Sequence, residues 1–309
     1  MSNGALYAIA ILIWGSTWFA IEFQLGVVEP EVSIMYRYVA ASVLLFAWCL
    51  LRGLRLQFPV QAHARFAVLG LLLFSLNYIL AYRAQVYITS ALCAIAFSML
   101  LWMNIVNARL FFGVRADRRV LVGATLGIVG VLVLFSPQVG NLTISDAVVT
   151  GLLLAMLGAL SASFGNIASQ AAQKMQLPVI QSNAWGMLYG SLWTGAYALL
   201  TGREFGFDWS PGYVLSLAYL VVFGSIVAFG AYLTLVGRIG AHKAGYATVM
   251  FPVVALVLSY LFEGLALDLP TVAGSGLVIA GNLLVLGVRM PRKFARRRNA
   301  AVPPGVTLD

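Results

Sequence analysis

Charged side chains are scarce in this sequence. Acidic residues number only ten in 309, and Asp, Glu, Lys and Arg together make up 9% of the chain, against about 25% in an ordinary soluble domain. So little charge cannot cover the surface of a water-soluble fold of this length. Histidine is rarer still: His63 and His242 alone, both at the ends of apolar runs. No histidine or carboxylate falls inside an apolar run near a serine or cysteine. A nucleophile needs a base within hydrogen-bond reach, and a hydrolytic metal needs clustered ligands, so the sequence argues against an enzyme and calls for no cofactor. The two cysteines, Cys49 and Cys93, each sit within an apolar run, which leaves no disulfide framework and no metal site. The N-terminal Met1-Ser2-Asn3-Gly4 has no Lys or Arg and no small-residue cleavage site after it. It reads as the start of a first helix rather than as a removed signal.

What is abundant is apolar. Hydrophobic residues make up 61% of the chain and the mean hydropathy is +0.93, which makes lipid the expected solvent. A helix rising 1.5 Å per residue needs about 20 apolar residues to cross a bilayer core of roughly 30 Å. Apolar runs broken by Gly, Pro or charged turns predict ten such helices, at 4–22, 32–51, 66–86, 89–112, 120–136, 148–172, 181–201, 211–236, 244–263 and 268–289. Sixteen of the nineteen basic residues then fall on the side of the two termini. Arg52, Arg55 and Arg65 lie in the second loop, and Arg109, Arg115, Arg118 and Arg119 at the fourth. Lys174, Arg238 and Lys243 follow, and six more end the chain from Arg289 to Arg298. The positive-inside rule predicts both termini in the cytoplasm. The net charge of +9 is spread over these loops, where it fixes topology and meets anionic lipid, so no nucleic acid is expected.

The chain repeats itself weakly. Phe112-Gly113 recurs as Glu263-Gly264, Gly123 and Gly130 as Gly274 and Gly281, and Ala81-Tyr82 as Ala231-Tyr232. Five helices per half is an odd number, so the second half enters the membrane upside down. Inverted repeats of this kind are a hallmark of secondary transporters, whose halves exchange conformations around a central site. The expected fold is therefore all-α and integral to the membrane: ten transmembrane helices as two inverted five-helix repeats around a central cavity. Residues 1–137 form the first repeat, 138–289 the second, and 290–309 a basic cytoplasmic tail. The glycines of helices 5 and 10 read as close-packing positions.

Trp14-Gly15-Ser16-Thr17 followed by Glu22, Arg37 early in helix 2, and Pro252-Val253-Val254-Ala255 running on to Glu263-Gly264 together resemble the drug/metabolite transporter superfamily, EamA type. Within it the chain looks most like the YddG-type exporters of aromatic and other amino acids. One departure stands out: a typical member has Pro and Glu in helix 4, where this chain has Leu101 and Phe112. The resemblance implies ten helices, a central cavity and amino-acid export by alternating access, with a small molecule and membrane lipid as partners. A monomer is compatible with the sequence.

A cavity for an amino acid needs polar groups for its charged ends and apolar or aromatic walls. Asn77, Tyr78, Tyr82 and Gln85 share one face of helix 3 at helical spacing. Trp14 lies mid-depth on helix 1, and Ser98 and Trp102 lie one turn apart on helix 4. Ser163 and Asn166 on helix 6, Trp185 and Tyr189 on helix 7, and Tyr246 on helix 9 complete the substrate-binding set, each with a packing role as its alternative. Intramembrane charge is costly, about 2.5–3.5 kcal/mol on insertion scales, and none falls at the centre. Glu22, Arg37, Arg83 and Glu263 are placed toward the outer side, either as an ion-paired gate or as separate snorkelling or fixed pairs. Pro252 removes a backbone hydrogen bond in helix 9 and is either a hinge or a fitted kink. A drug or nucleotide-sugar carrier is the alternative transporter. The first would favour a central carboxylate and the second several basic residues. A membrane enzyme and a scaffold protein lack any need for two-sided symmetry.

Overall fold

In the computed structural model the described residues are 1–88, 93, 96–134, 136, 145–262 and 269–286. Among them every regular element is a helix. In chain order these are α1 (Asn3–Glu22), α2 (Pro30–Leu51), α3 (Val60–Tyr87), α4 (Leu100–Phe112), α5 (Arg118–Leu134), α6 (Asp146–Lys174), α7 (Val179–Leu200), α8 (Pro211–Ile239), α9 (Ala247–Phe262) and α10 (Leu269–Leu286). A single turn, Ala241–Ala244, sits between α8 and α9. The helices fall on the apolar runs of the sequence. α3 starts at Val60 rather than 66 because hydropathy does not register its polar first turns around His63 and Arg65, and α4 starts at Leu100 rather than 89, with residues 89–92, 94 and 95 outside the described residues. Five helices, α1, α2, α3, α6 and α8, are long and apolar enough to cross a membrane. Leu51, Leu199, Leu200 and Leu215 point outward from the bundle, as lipid-facing side chains do.

Local chemistry starts and stops the helices. The Ser2, Ser145 and Ser210 hydroxyls accept from the amides of Ala5, Val148 and Tyr213, which satisfies one orphan donor at each N-terminus. Pro30 and Pro211 occupy the first helical turn, where a missing N–H costs nothing. Gly113 ends α4 at φ 66°, a left-handed conformation that glycine adopts without a Cβ clash.

The helix contacts are reciprocal. α5 lies on α10 and α2 on α7; α3 packs on α6 as α8 packs on α1; α4 packs on α6 as α9 packs on α1. Shifting the helix numbers by five maps the first two contacts onto themselves and exchanges the other four in pairs. α3 and α8 share a second feature: each widens into a π-helical segment, Gly70–Leu76 in α3 and Leu220–Val227 in α8. Such segments are rare and cluster at functional sites.

The α5–α10 pair is held by backbone approach. A Cβ on Gly130 would lie 2.7 Å from the Val278 nitrogen and 2.8 Å from the Gly274 oxygen, and one on Gly123 would lie 2.6 Å from the Gly281 oxygen. Backbone atoms cannot step aside as a flexible side chain can. Gly130→Val is therefore expected to destabilise the protein by about 2 kcal/mol through overpacking. A lowered unfolding temperature in detergent checks it, and an unchanged one would contradict the close approach.

Candidate functional site

The central feature is a cavity lined from α1, α2, α3, α4, α6, α8 and α9. Both π segments border it: Leu73 lies within the first, and Phe229 and Tyr232 follow the second. One wall is aromatic. The Trp14 ring packs against Phe229, Tyr232 and Phe251 at centroid distances of 4.8, 5.0 and 5.7 Å. Its indole N–H donates to the Gly224 carbonyl at 3.0 Å, which ties α1 to the π segment of α8. Phe97, Tyr78 and Tyr82 continue the wall.

Arg37 supplies the charge. Its side chain is 2% exposed and lines the cavity. Nε donates to the Ser225 hydroxyl at 2.8 Å, inside the π segment of α8. The guanidinium carbon lies 4.9 Å from the Tyr78 ring centroid and 5.3 Å from that of Tyr38, so the aromatic faces stabilise the cation. Nη1 has no hydrogen-bond partner. Asn77 Oδ1, Gln85 Nε2 and Asn166 Oδ1, all on cavity-lining residues, are also buried without partners. Buried polar atoms are nearly always paired, and an amide can offer either its oxygen or its NH2. The cavity thus presents one cation with a spare donor, three amides with spare capacity and broad aromatic faces. Among the described lining residues none is acidic.

The structure brings together Trp14, Asn77, Tyr78, Tyr82, Gln85 and Asn166, and adds Arg37 from the expected gate. The other substrate candidates lie elsewhere. The Tyr246 hydroxyl donates to the Gly123 carbonyl at 2.8 Å, at the α5–α10 junction where glycines leave room for its ring. The Trp185 indole donates to the Leu56 carbonyl at 3.2 Å and stands edge-on to His63 at 4.5 Å and to Phe46 at 4.9 Å. It belongs to an aromatic cluster at the start of α3. Ser163 accepts from the Asn107 amide at 2.8 Å, and Ser98 is buried, both off the cavity wall. Trp102 packs on the hydrophobic core instead. Residues not anticipated for the cavity include Phe229, Phe251, Thr17 and Thr248. Apolar rings and lone threonines carry no mark in a sequence that separates cavity from core.

The ion pairs also differ from the expected cluster. Arg83 pairs with Glu31, not Glu22, at 2.7 Å through both Nε and Nη2, and the Glu31 side chain is 0% exposed. Arg203 approaches Glu29 at 3.5 Å and Glu31 at 3.9 Å. This trio ties α2 to α3 and to the α7–α8 loop. Arg37 faces the cavity because Ser225, not a carboxylate, holds it, and Glu22 is exposed. Pro252 lies within α9 with its side chain outside the described set, and Glu263 lies outside the described residues. At the opposite end of the bundle, burial holds the His242 imidazole below its usual range. Lys243 pushes it the same way and Asp117 opposes.

The EamA-like transporter family model matches residues 2–136 and again 149–287. The uncharacterized inner membrane transporter YedA of Escherichia coli is 29% identical over 284 residues, 91% of this chain and 89% of that protein. A probable amino-acid metabolite efflux pump of Salmonella typhimurium is 25% identical over 309 residues, 94% of this chain and 97% of that protein. A solved crystal structure superposes with a TM-score of 0.77 over 92% of this chain and 96% of its own, at 18% identity, which speaks to the fold alone.

Proposed function

We propose, from the premise that this chain belongs to the EamA-like transporter family, that it exports neutral amino acids, aromatic ones included, across the inner membrane by alternating access. The observation that carries this reading is the cavity around Arg37. A substrate carboxylate would take the spare Nη1 donor in a charge-assisted hydrogen bond. The ammonium would meet the free amide oxygens of Asn77 and Asn166 and the face of Tyr78. An apolar or aromatic side chain would lie among Trp14, Phe229 and Phe251. On this reading the protein is an exporter of the YddG type, a transporter and not an enzyme. One cation suits one carboxylate; a sugar nucleotide would call for more, and an organic cation for an acidic group.

The reading includes ten spans in two inverted repeats, 1–137 and 138–289, a basic tail over 290–309, and both termini in the cytoplasm. Support comes from the two separate family matches, the reciprocal helix contacts and the paired π segments. The name of the Escherichia coli relative supports the inner membrane, and that of the Salmonella relative supports amino-acid cargo.

The test is counterflow. Proteoliposomes loaded with unlabelled L-phenylalanine, L-leucine or L-methionine are expected to accumulate the same labelled amino acid, whereas phenethylamine, which lacks the carboxylate, is not exchanged. No exchange of any amino acid would sink the cargo assignment.

A further inference from the structure

The stripe of α6 that reaches the cavity at Asn166 does not end there. Ser169, Gln170 and Gln173 continue it at helical spacing, running about 10 Å at 1.5 Å per residue toward the end of the bundle that carries Lys174, Arg238 and Lys243. Asn166, Ser169 and Gln170 are buried. They close against α4, α8 and the turn after Gly240. The Asn166 amide donates to Asn104 Oδ1 at 3.3 Å and to the Tyr232 hydroxyl at 3.1 Å. Gln170 Oε1 accepts from the Ala241 amide at 3.1 Å. The Gln173 amide donates to the Leu233 carbonyl at 2.8 Å and to the Ser169 hydroxyl at 3.3 Å.

A seam meant to stay shut in lipid has no need of such groups. The neighbouring face of α6 shows the alternative: Gly165 closes on α3, where an added Cβ would lie 2.8 Å from Leu73 Cβ. Burying polar groups is unfavourable unless they are bonded. Here two of the bonds are long, at 3.3 Å, and Asn104 Nδ2 and Asn166 Oδ1 have no partner. Water would satisfy the same atoms nearly as well, so parting this seam costs little. Space is also reserved along it. A Cβ on Gly237 would run into the Gln173 amide, and one on Gly245 into that of Asn104.

We propose that this polar seam between α4, α6 and the end of α8 is a mouth of the permeation pathway, closed in this conformation and water-filled when the protein opens to that side. The proposal rests on the transporter reading above. In the open state Asn166 is the point where cavity and route meet, and Gln170 and Gln173 line the passage.

Thiol accessibility tests it. Cys49 and Cys93 are buried native controls. Ser169→Cys, nearly isosteric, and Gln170→Cys are each reconstituted and treated from one side at a time with the impermeant reagent sulfonatoethyl methanethiosulfonate. Both are expected to react at least tenfold faster than the native cysteines, and from one side only. Ala172→Cys, also buried but seven residues from Gly165 and so on its face, is expected to react no faster than the controls. Folded Ser169→Cys and Gln170→Cys proteins that both stay as inert as Cys49 overturn the proposal, and so does equal reaction at Ala172→Cys. The two readings fail separately. Reactive seam cysteines without amino-acid counterflow remove the cargo and leave the mouth, whereas counterflow with inert seam cysteines removes the mouth and leaves the cargo.

Discussion

Arg37→Gln is expected to lower amino-acid transport efficiency about 100-fold. A hydrogen bond to a charged group contributes about 1.5–3 kcal/mol, and each 1.4 kcal/mol is a factor of ten. The upper end applies because Arg37 is buried, so water cannot replace it opposite a carboxylate. Glutamine retains a donor but no charge. The fold should tolerate the change: the guanidinium is held by Ser225 and by two tyrosine rings, so no buried carboxylate is orphaned. Arg37→Lys restores charge without the planar fork or the Nε link to Ser225, and an intermediate rate is expected. The measurement is initial-rate counterflow of L-phenylalanine, normalised to folded protein. Transport by the glutamine variant within twofold of wild type would falsify the carboxylate anchor.

Arg83→Met should be the most damaging single change outside the cavity, by about 3 kcal/mol. It leaves the Glu31 carboxylate, 0% exposed, with only Arg203 at 3.9 Å. Removing one partner of a buried pair typically costs 3–5 kcal/mol because a buried charge remains. Arg83 itself is 31% exposed, which places the effect at the low end. Adding Glu31→Gln to the same chain is expected to recover most of the loss, since no uncompensated charge then stays buried. Thermal unfolding in detergent reads both proteins. An Arg83→Met variant that melts with wild type, or a double variant no better than the single, would remove this pair from the account of stability.

The helices were legible because hydropathy is a local property and lipid imposes one length. So was the face carrying Asn77, Tyr78 and Tyr82, since helical spacing alone aligns it. Arg37 was harder. Its place toward the outer side with Glu22, Arg83 and Glu263 suggested an ion-paired gate, but its partner Ser225 lies 188 residues away, and no local pattern announces that. Tyr246 and Trp185 have the same amphipathic chemistry as Tyr78. What separates them is the glycine-lined space that takes the Tyr246 ring and the Leu56 carbonyl that takes the Trp185 N–H. Phe229 and Phe251 enter the cavity because Trp14 packs on them, a fact of assembly rather than of composition.

The wide turns in α3 and α8 bear on how this chain can change over time. Closing a helical turn from i to i+5 rather than i to i+4 takes up one residue more. Everything beyond Leu76 and beyond Val227 is phased by that residue, Tyr82 and Tyr232 included. Losing a single residue from the α-helical turns on either side would rotate the following helix by about 100°, the angle of one residue at 3.6 per turn, and turn its tyrosine off the cavity, whereas losing it from the wide turn lets that turn close from i to i+4 with the phase kept. Substitutions in these two helices can therefore accumulate one at a time, but changes in length can enter only at the wide turns. Descendants of this sequence should differ in loop length freely while keeping the spacing from Asn77 to Tyr82 and from Ala228 to Tyr232 fixed.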